Sequence, residues 1–248
     1  SVLPAVAVSG QGLGEATEGT GSYTTGKSRT ATPLSLSLRE TPQSVSLVTQ
    51  QRIEDQGLSS ITDALNNVTG VSVHQYETSR AQFTARGFDI NALMIDGIPT
   101  TWDQSWSSGE IMTSLAIYDR VEVLKGSSGL VVGKGGYGAT VNLIRKRPTR
   151  EFQASVRANA GSWDTYRAQA DISGSLNEAG TLRGRVVASM TDAGSFRDNE
   201  KSNSKMLFGT LEADLTPDTL LNLGITLRQR EARGFGTTRP IQRYTAAG

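Results

Sequence analysis

The apolar residues of this chain keep three different rhythms. Residues 1–40 have almost none: Gly10, Gly12, Gly14, Gly19, Gly21 and Gly26 are scattered among Ser, Thr and Glu, and only Leu3-Pro4-Ala5-Val6-Ala7-Val8-Ser9 breaks the pattern with an apolar stretch. So little apolar surface cannot offset ordering entropy, and a flexible segment is expected. From Thr41 the periods are short and mixed. Ser44–Val48 alternates as a strand, and Gln50–Gln56 reads as a short polar helix closed by Gly57. Ser59 or Ser60 caps a second helix, with Ser60-Ile61-Thr62-Asp63 in the form of a capping box and Ile61, Ala64, Leu65 and Val68 on one face. Short strands are expected at Val71–Gln75, Gln82–Arg86, Leu93–Ile95, Val121–Leu124 and Thr140–Ile144. The sum is a small α+β domain over 41–150.

After Pro148 the period is two. Phe152–Ala160, Tyr166–Ile172, Leu182–Met190, Leu207–Leu215 and Leu221–Leu227 each alternate apolar with polar positions. A β-sandwich also alternates, but its strands average about five or six residues; these runs are nearer the 9–11 of a tilted transmembrane strand. The links are tight at Gly161–Asp164, Asn177–Gly180 and Thr216–Thr219 and longer at Asp192–Lys205, an alternation that in an outer-membrane barrel would mark short periplasmic turns and longer outer loops; from the strands alone, sandwich and barrel stand level.

Composition narrows the chemistry. Of 248 residues, 36% are hydrophobic and only 6% aromatic; net charge is +1, so no global field favours nucleic acid. Cysteine is absent and His74 is the single histidine, which excludes thiolate chemistry and any multi-histidine metal site. No catalytic residue and no resident metal or cofactor is expected. Gly133-Lys134-Gly135-Gly136-Tyr137-Gly138 spells G-x-G-x-x-G, but a dinucleotide loop needs a helix next and an acid about 20 residues on. The strand-like Thr140–Ile144 follows instead, so a soluble nucleotide-binding enzyme stays a distant alternative.

Five ordered phrases then point one way. Glu40-Thr41-Pro42-Gln43-Ser44-Val45, Ala85-Arg86-Gly87-Phe88-Asp89-Ile90, Met94-Ile95-Asp96-Gly97-Ile98-Pro99-Thr100, Tyr118–Gly126 and Ala139–Pro148 together resemble the plug domain of TonB-dependent outer-membrane receptors. The likeness is to the ferric-siderophore branch that includes the coprogen and pyoverdine receptors. It implies an α+β plug domain followed by antiparallel transmembrane β-strands, the N-terminal part of a barrel of about 22 strands. Three segments follow: a flexible one (1–40), the plug (41–150) and about five barrel strands (151–248). Such a piece leaves an open edge and implies a longer protein in the bacterial outer membrane, monomeric when complete.

The resemblance also assigns roles. The function it implies is TonB-dependent uptake of a ferric siderophore, with iron entering only as part of that ligand; cobalamin, haem or a sugar are alternative cargoes. Leu3, Ala5, Val6, Ala7 and Val8 resemble a TonB box, which adds a strand to TonB and its inner-membrane energising complex. Arg86 and Lys125 match the two plug cations that latch to glutamates of the barrel wall, Lys125 lacking the bidentate fork of the usual arginine. Trp102, Gln104, Ser105 and Trp106 fall where relatives raise a plug loop to the siderophore, and Tyr76 and Arg80 mark a second apex. Tryptophans in a polar loop offer rigid contact area, and the absence of Arg and Lys from Thr101–Ser108 argues against a strongly anionic chelate there.

Overall fold

The computed structural model describes residues 14–32, 34–77, 80–100, 114–126, 137–195, 201–233 and 244–247. The chain divides into two compact units, Ser1–Arg145 and Lys146–Gly248.

The first unit is built on five strands. They are β1 (Ser44–Thr49), β5 (Ala92–Ile95), β6 (Ile98–Thr100), β7 (Tyr118–Lys125) and β8 (Ala139–Arg145), in the order β1-β7-β8-β5-β6. Only the β5–β8 pair is parallel. β2 (Val71–Glu77), β3 (Arg80–Ala85) and β4 (Phe88–Asp89) form a second, antiparallel sheet. Two one-and-a-half-turn helices complete it, α1 (Gln50–Asp55) and α2 (Ile61–Asn66). Ser60 is the cap of α2: its hydroxyl accepts from Asp63 N (3.2 Å) while the Asp63 carboxylate takes the amides of Ser60 (2.9 Å) and Ser59 (3.0 Å). Helices this short do not persist alone; Ile61, Leu65, Phe83, Ile90, Met94 and Ile117, all buried, hold them to the sheets.

Two hairpins turn on consecutive left-handed residues, Arg86-Gly87 (φ 54° and 80°) and Asp96-Gly97 (φ 51° and 82°). A two-residue loop with both φ positive is the type I′ turn, whose twist matches that of the flanking strands. Asp96 then clamps the neighbouring strand, accepting from the Arg145 amide (2.8 Å) and its Nε (2.5 Å).

The second unit is an antiparallel meander of β9 (Gln153–Gly161), β10 (Thr165–Ser175), β11 (Leu182–Gly194), β12 (Lys201–Thr216), β13 (Thr219–Arg233) and β14 (Tyr244–Ala247). The five expected strands are present, β10–β13 longer than their apolar runs, and β14 is a sixth that the sequence pattern did not reveal. Its polarity is inverted relative to a water-soluble sheet. Val156, Val186, Leu211, Leu223 and Ile225 are exposed, while Asp171, Arg183, Arg185 and Glu212 are buried. The charges neutralise one another: Asp171 accepts from Lys146 Nζ (2.9 Å) and Arg185 Nη2 (2.6 Å), and Glu212 from Arg147 Nε (2.6 Å). Gly184 keeps the apolar face closed, since a Cβ there would stand 3.1 Å from Leu176 Cδ1.

Two expectations need correction. Residues 1–40 were expected to be flexible as a whole; from Gly14 onward the described residues are instead fastened to the first unit, with Thr17, Thr25, Ser28 and Thr30 buried. Hydrogen bonds, not apolar burial, supply the hold, which is why hydropathy missed it. The tight link Gly161–Asp164 was grouped with the periplasmic turns. Successive antiparallel hairpins must turn at opposite ends, so it lies at the same end as the β11–β12 link, away from Asn177–Gly180.

Ser60→Ala should cost α2 about 1 kcal/mol. Native-state hydrogen exchange should then show the amides of Asp63 and Ala64 exchanging about fivefold faster, with β7 unchanged.

Candidate functional site

The structure distributes the residues singled out from sequence among four places. Tyr76 stands near the tip of the β2–β3 hairpin, 58% exposed, its hydroxyl donating to Gln82 and its ring meeting His74 edge-on at 4.7 Å. Gln82 in turn donates to Asp89 (2.8 Å). In the strand register Arg80 stands opposite Glu77 across the same hairpin. Trp102, Gln104, Ser105 and Trp106 lie outside the described residues; they follow β6, which ends at Thr100. Leu3, Ala5, Val6, Ala7 and Val8 also lie outside them.

Arg86 and Lys125, the two expected latch cations, come to one corner. The Arg86 Nη1 lies 3.2 Å from where a Cβ on Gly126 would stand, and Lys125 Nζ 3.9 Å from that of Gly70. Glycine is required at 126, where φ is +102° and the guanidinium covers the backbone. Gly138 admits β8 to the same corner, because a Cβ there would meet the carbonyl oxygens of Phe88 (2.9 Å) and Ala85 (3.0 Å). The last glycine of the G-x-G-x-x-G phrase thus serves close packing, and a strand, not a helix, follows it. Neither Arg86 nor Lys125 forms an ion pair among the described residues, so the corner presents two uncompensated positive charges.

The largest concentration of buried polar chemistry was not foreseen. The central strand β7 is covered on both faces, yet it carries Asp119, Arg120 and Glu122. The β7–β8 register slips between Tyr118 and Arg120, leaving Asp119 as an extra residue. Such a bulge re-aims side chains: the Arg120 guanidinium donates through Nη1 to Asp119 (2.8 Å) and through Nε to Glu122 (2.5 Å). One cation cannot saturate two carboxylates. The remaining lone pairs are taken by the segment from Gly14 to Ala31, here called the strap. The Thr17 amide donates to both Asp119 oxygens (3.0 Å each) and the Glu18 amide to one (2.7 Å). The hydroxyls of Ser28 and Thr30 both donate to Glu122 Oε2.

Asn142 carries the network further. Its amide donates to Thr30 Oγ1 (2.7 Å), and its oxygen accepts from the Gly97 amide (3.0 Å) in the β5–β6 turn. Strap, central strand and the hairpin preceding the tryptophan loop therefore share one chain of hydrogen bonds. Burial works against the charge on Arg120, but Glu122 and Asp119 outweigh it and raise its pKa further above the ordinary arginine value. The signal for this clasp was three charges inside a strand that otherwise reads as fully buried.

At the strap's edge, Glu15 accepts from Arg29 Nε (2.9 Å) and from the Ser35 hydroxyl. Burial opposes its ionisation, yet Ser35 and Arg29 prevail and hold the carboxyl below its ordinary value of 4.5. A folded-state pKa below the unfolded one stabilises above the unfolded pKa, and that contribution is lost as pH falls through the folded pKa. Exchange of the strap amides, corrected for intrinsic rates, should therefore rise on acidification below about pH 4.5, and Glu15→Gln should flatten the dependence.

The two sides of the clasp separate by mutation. Glu122→Leu leaves a buried guanidinium with half its compensation and should destabilise the first unit by about 3–5 kcal/mol. Ser28→Ala with Thr30→Val removes the two strap hydroxyls from Glu122, and with Thr30 the acceptor of the Asn142 amide, at about 1 kcal/mol each. In that double variant, exchange should accelerate over residues 14–32 while β7 and β8 keep their protection.

Among the described residues no group of three His, Cys, Asp or Glu side chains could hold a metal ion. Comparison with known proteins gives a consistent result. The family model of the TonB-dependent Receptor Plug Domain matches residues 37–140. The Ferripyoverdine receptor of Pseudomonas aeruginosa is 45% identical over 247 residues, covering 99% of this chain and 30% of its own length. The Ferric-pyoverdine 358 receptor of Pseudomonas putida is 42% identical over 94% of this chain and 28% of its length. Among solved structures, P. aeruginosa FpvA in complex with a heterologous iron-loaded pyoverdine superposes with a TM-score of 0.87 at 47% identity, over 92% of this chain and 31% of that one. The alcaligin outer-membrane receptor FauA from Bordetella pertussis gives 0.81 at 42% identity, over 88% and 37%. The chain thus spans about 30% of the length of the curated relatives it matches.

Proposed function

This chain belongs to the TonB-dependent receptors, as their plug domain and first barrel strands, and on that premise we propose that it serves ferric-siderophore uptake across the bacterial outer membrane. The observation that carries this reading is the inverted polarity of β9–β13, which puts apolar side chains outward in strands of 9–16 residues. The plug matched at 37–140 precedes them in the same chain. The named cargoes of the similar receptors, pyoverdines and alcaligin, favour a siderophore over cobalamin, haem or a sugar. Transport of this kind makes and breaks no covalent bond.

In this reading the loaded siderophore rests on Trp102 and Trp106, with Gln104 and Ser105 as neutral hydrogen-bonding groups and Tyr76 and Arg80 at the second apex. TonB pairs with Leu3, Ala5, Val6, Ala7 and Val8 by strand addition. The strap then has a defined role. It is the stretch between the TonB segment and the plug's central strand, so a pull on residues 3–8 reaches Thr17 on Asp119 first and Ser28 and Thr30 on Glu122 next. Arg86 and Lys125 supply the charge by which the plug is retained in the wall.

Two substitutions in the full-length receptor test the two halves. Val6→Pro removes a backbone donor and should abolish uptake while siderophore binding is unchanged; uptake that survives both Val6→Pro and Val8→Pro excludes this segment as the TonB contact. Trp102→Ala or Trp106→Ala should weaken binding by about 1–3 kcal/mol in a titration that uses Ser22→Ala as baseline. Wild-type affinity in both would move the contact to Tyr76 and Arg80.

A further inference from the structure

A row of three polar side chains on the β2–β3–β4 sheet fixes which way a proton points. β3 buries Ala81, Phe83 and Ala85, so Gln82 and Thr84 fall on its other face. There Gln82 stands opposite His74 of β2, and Thr84 opposite Asp89 of β4. Gln82 and Asp89 are therefore diagonal neighbours, within reach of a long side chain. The β2–β3 register slips between Gln75 and Glu77, which makes Tyr76 an extra residue on its strand. Such a bulge re-aims a side chain, and the Tyr76 ring comes edge-on to His74. The Tyr76 hydroxyl meets Gln82 Oε1, and Gln82 Nε2 donates to Asp89 Oδ1 (2.8 Å). The order of donors and acceptors along this row has one solution. A carboxylate only accepts, so the Gln82 amide turns its nitrogen to Asp89 and its oxygen to Tyr76. Tyr76 must then give its proton to Gln82. What remains on the exposed side of its oxygen is a lone pair and no proton.

From this geometry we propose that Asp89, acting through Gln82, is a positioning residue that fixes Tyr76 as a hydrogen-bond acceptor. Tyr76 accordingly takes a donor group of the siderophore: an amide N–H, an amine or a hydroxyl that does not hold iron. The proposal rests on the reading of Tyr76 as a ligand contact. Oxygens that chelate iron offer lone pairs and no proton, and two acceptors facing each other repel. This apex therefore meets the organic frame of the ligand, and it disfavours a chelate that presents only its iron-binding oxygens on that side. Asp89 does this without touching the ligand, from two side chains away.

The test uses the full-length receptor in mild detergent, with two readouts. Titration follows iron-loaded pyoverdine and iron-loaded alcaligin, the ligands named for the similar receptors. The tyrosine doublet in ultraviolet resonance Raman, taken as the difference between each protein and its Tyr76→Phe counterpart, reports whether the Tyr76 hydroxyl donates or accepts, with no ligand present. Asp89→Asn lets the Gln82 amide reverse, since an asparagine donates as readily as it accepts. It should move the doublet away from the donor state and weaken binding about threefold to tenfold, the size of one neutral hydrogen bond. In a Tyr76→Phe background the same change should leave affinity unaltered. Asp89→Asn combined with Gln82→Glu shifts the carboxylate one place along the row, where it again takes the Tyr76 proton, so doublet and affinity should both return. Tighter binding by Asp89→Asn overturns the donor assignment. An unmoved doublet, an equal loss in the Tyr76→Phe background, or no rescue by the combined variant overturns the role of Asp89. If Tyr76→Phe binds as the unaltered receptor does, or neither ligand binds, the contact reading fails and the ligand half of the proposal falls with it. That failure is seen apart from failure of the row, because the doublet needs no ligand.

Discussion

A carboxylate cannot stay buried without partners, and the plug is arranged around that constraint on β7. Asp119 and Glu122 sit on a strand enclosed on both faces, where an unpaired ion would cost several kcal/mol. Arg120 meets part of the demand, and the rest falls to groups distant in sequence: two backbone amides at Thr17 and Glu18 and two hydroxyls at Ser28 and Thr30. The strap is consequently part of the fold. It completes the hydration that the central strand gave up, and Asn142 extends the same arrangement to the hairpin ahead of the tryptophan loop.

The barrel strands obey the same rule with the faces exchanged. Where the surroundings are hydrocarbon, apolar side chains gain nothing by hiding, and charge must be gathered on the other face and paired there. Lys146, Asp171 and Arg185 form one such group, and Arg147, Glu212, Arg183 and Asp214 another. Both begin at the Lys146-Arg147 step, so the first residues after the plug unit are tied at once to β10, β11 and β12.

Much of this was legible in the sequence because periodicity and local capping are local properties. The five alternating runs became β9–β13, and Ser60 and Asp63 formed the expected box. What failed was non-local. Arg86 had been assigned to a strand end, although it takes positive φ in a hairpin turn with Gly87. Residues 14–32 have too few apolar side chains to announce an ordered segment, and their partners lie about a hundred positions away. β14 is only four residues long and pairs by register with β13, which no short window contains. Of the candidate site, Arg86 and the Lys125-Gly126 pair lie close together, whereas the clasp required knowing which charges on β7 would be enclosed.

The strap is attached by hydroxyls and amides, and this bears on how often it can be removed. A segment docked through leucines and phenylalanines would, once peeled away, expose greasy surface on both partners and invite misassociation in a crowded compartment. Thr17, Ser28 and Thr30 are as soluble free as bound, and the ion pairs of Arg120 with Asp119 and Glu122 lie wholly within β7. Detachment therefore exchanges protein hydrogen bonds for those of water and leaves a docking face still ready to accept the strap. The fastening behaves as a re-closable one.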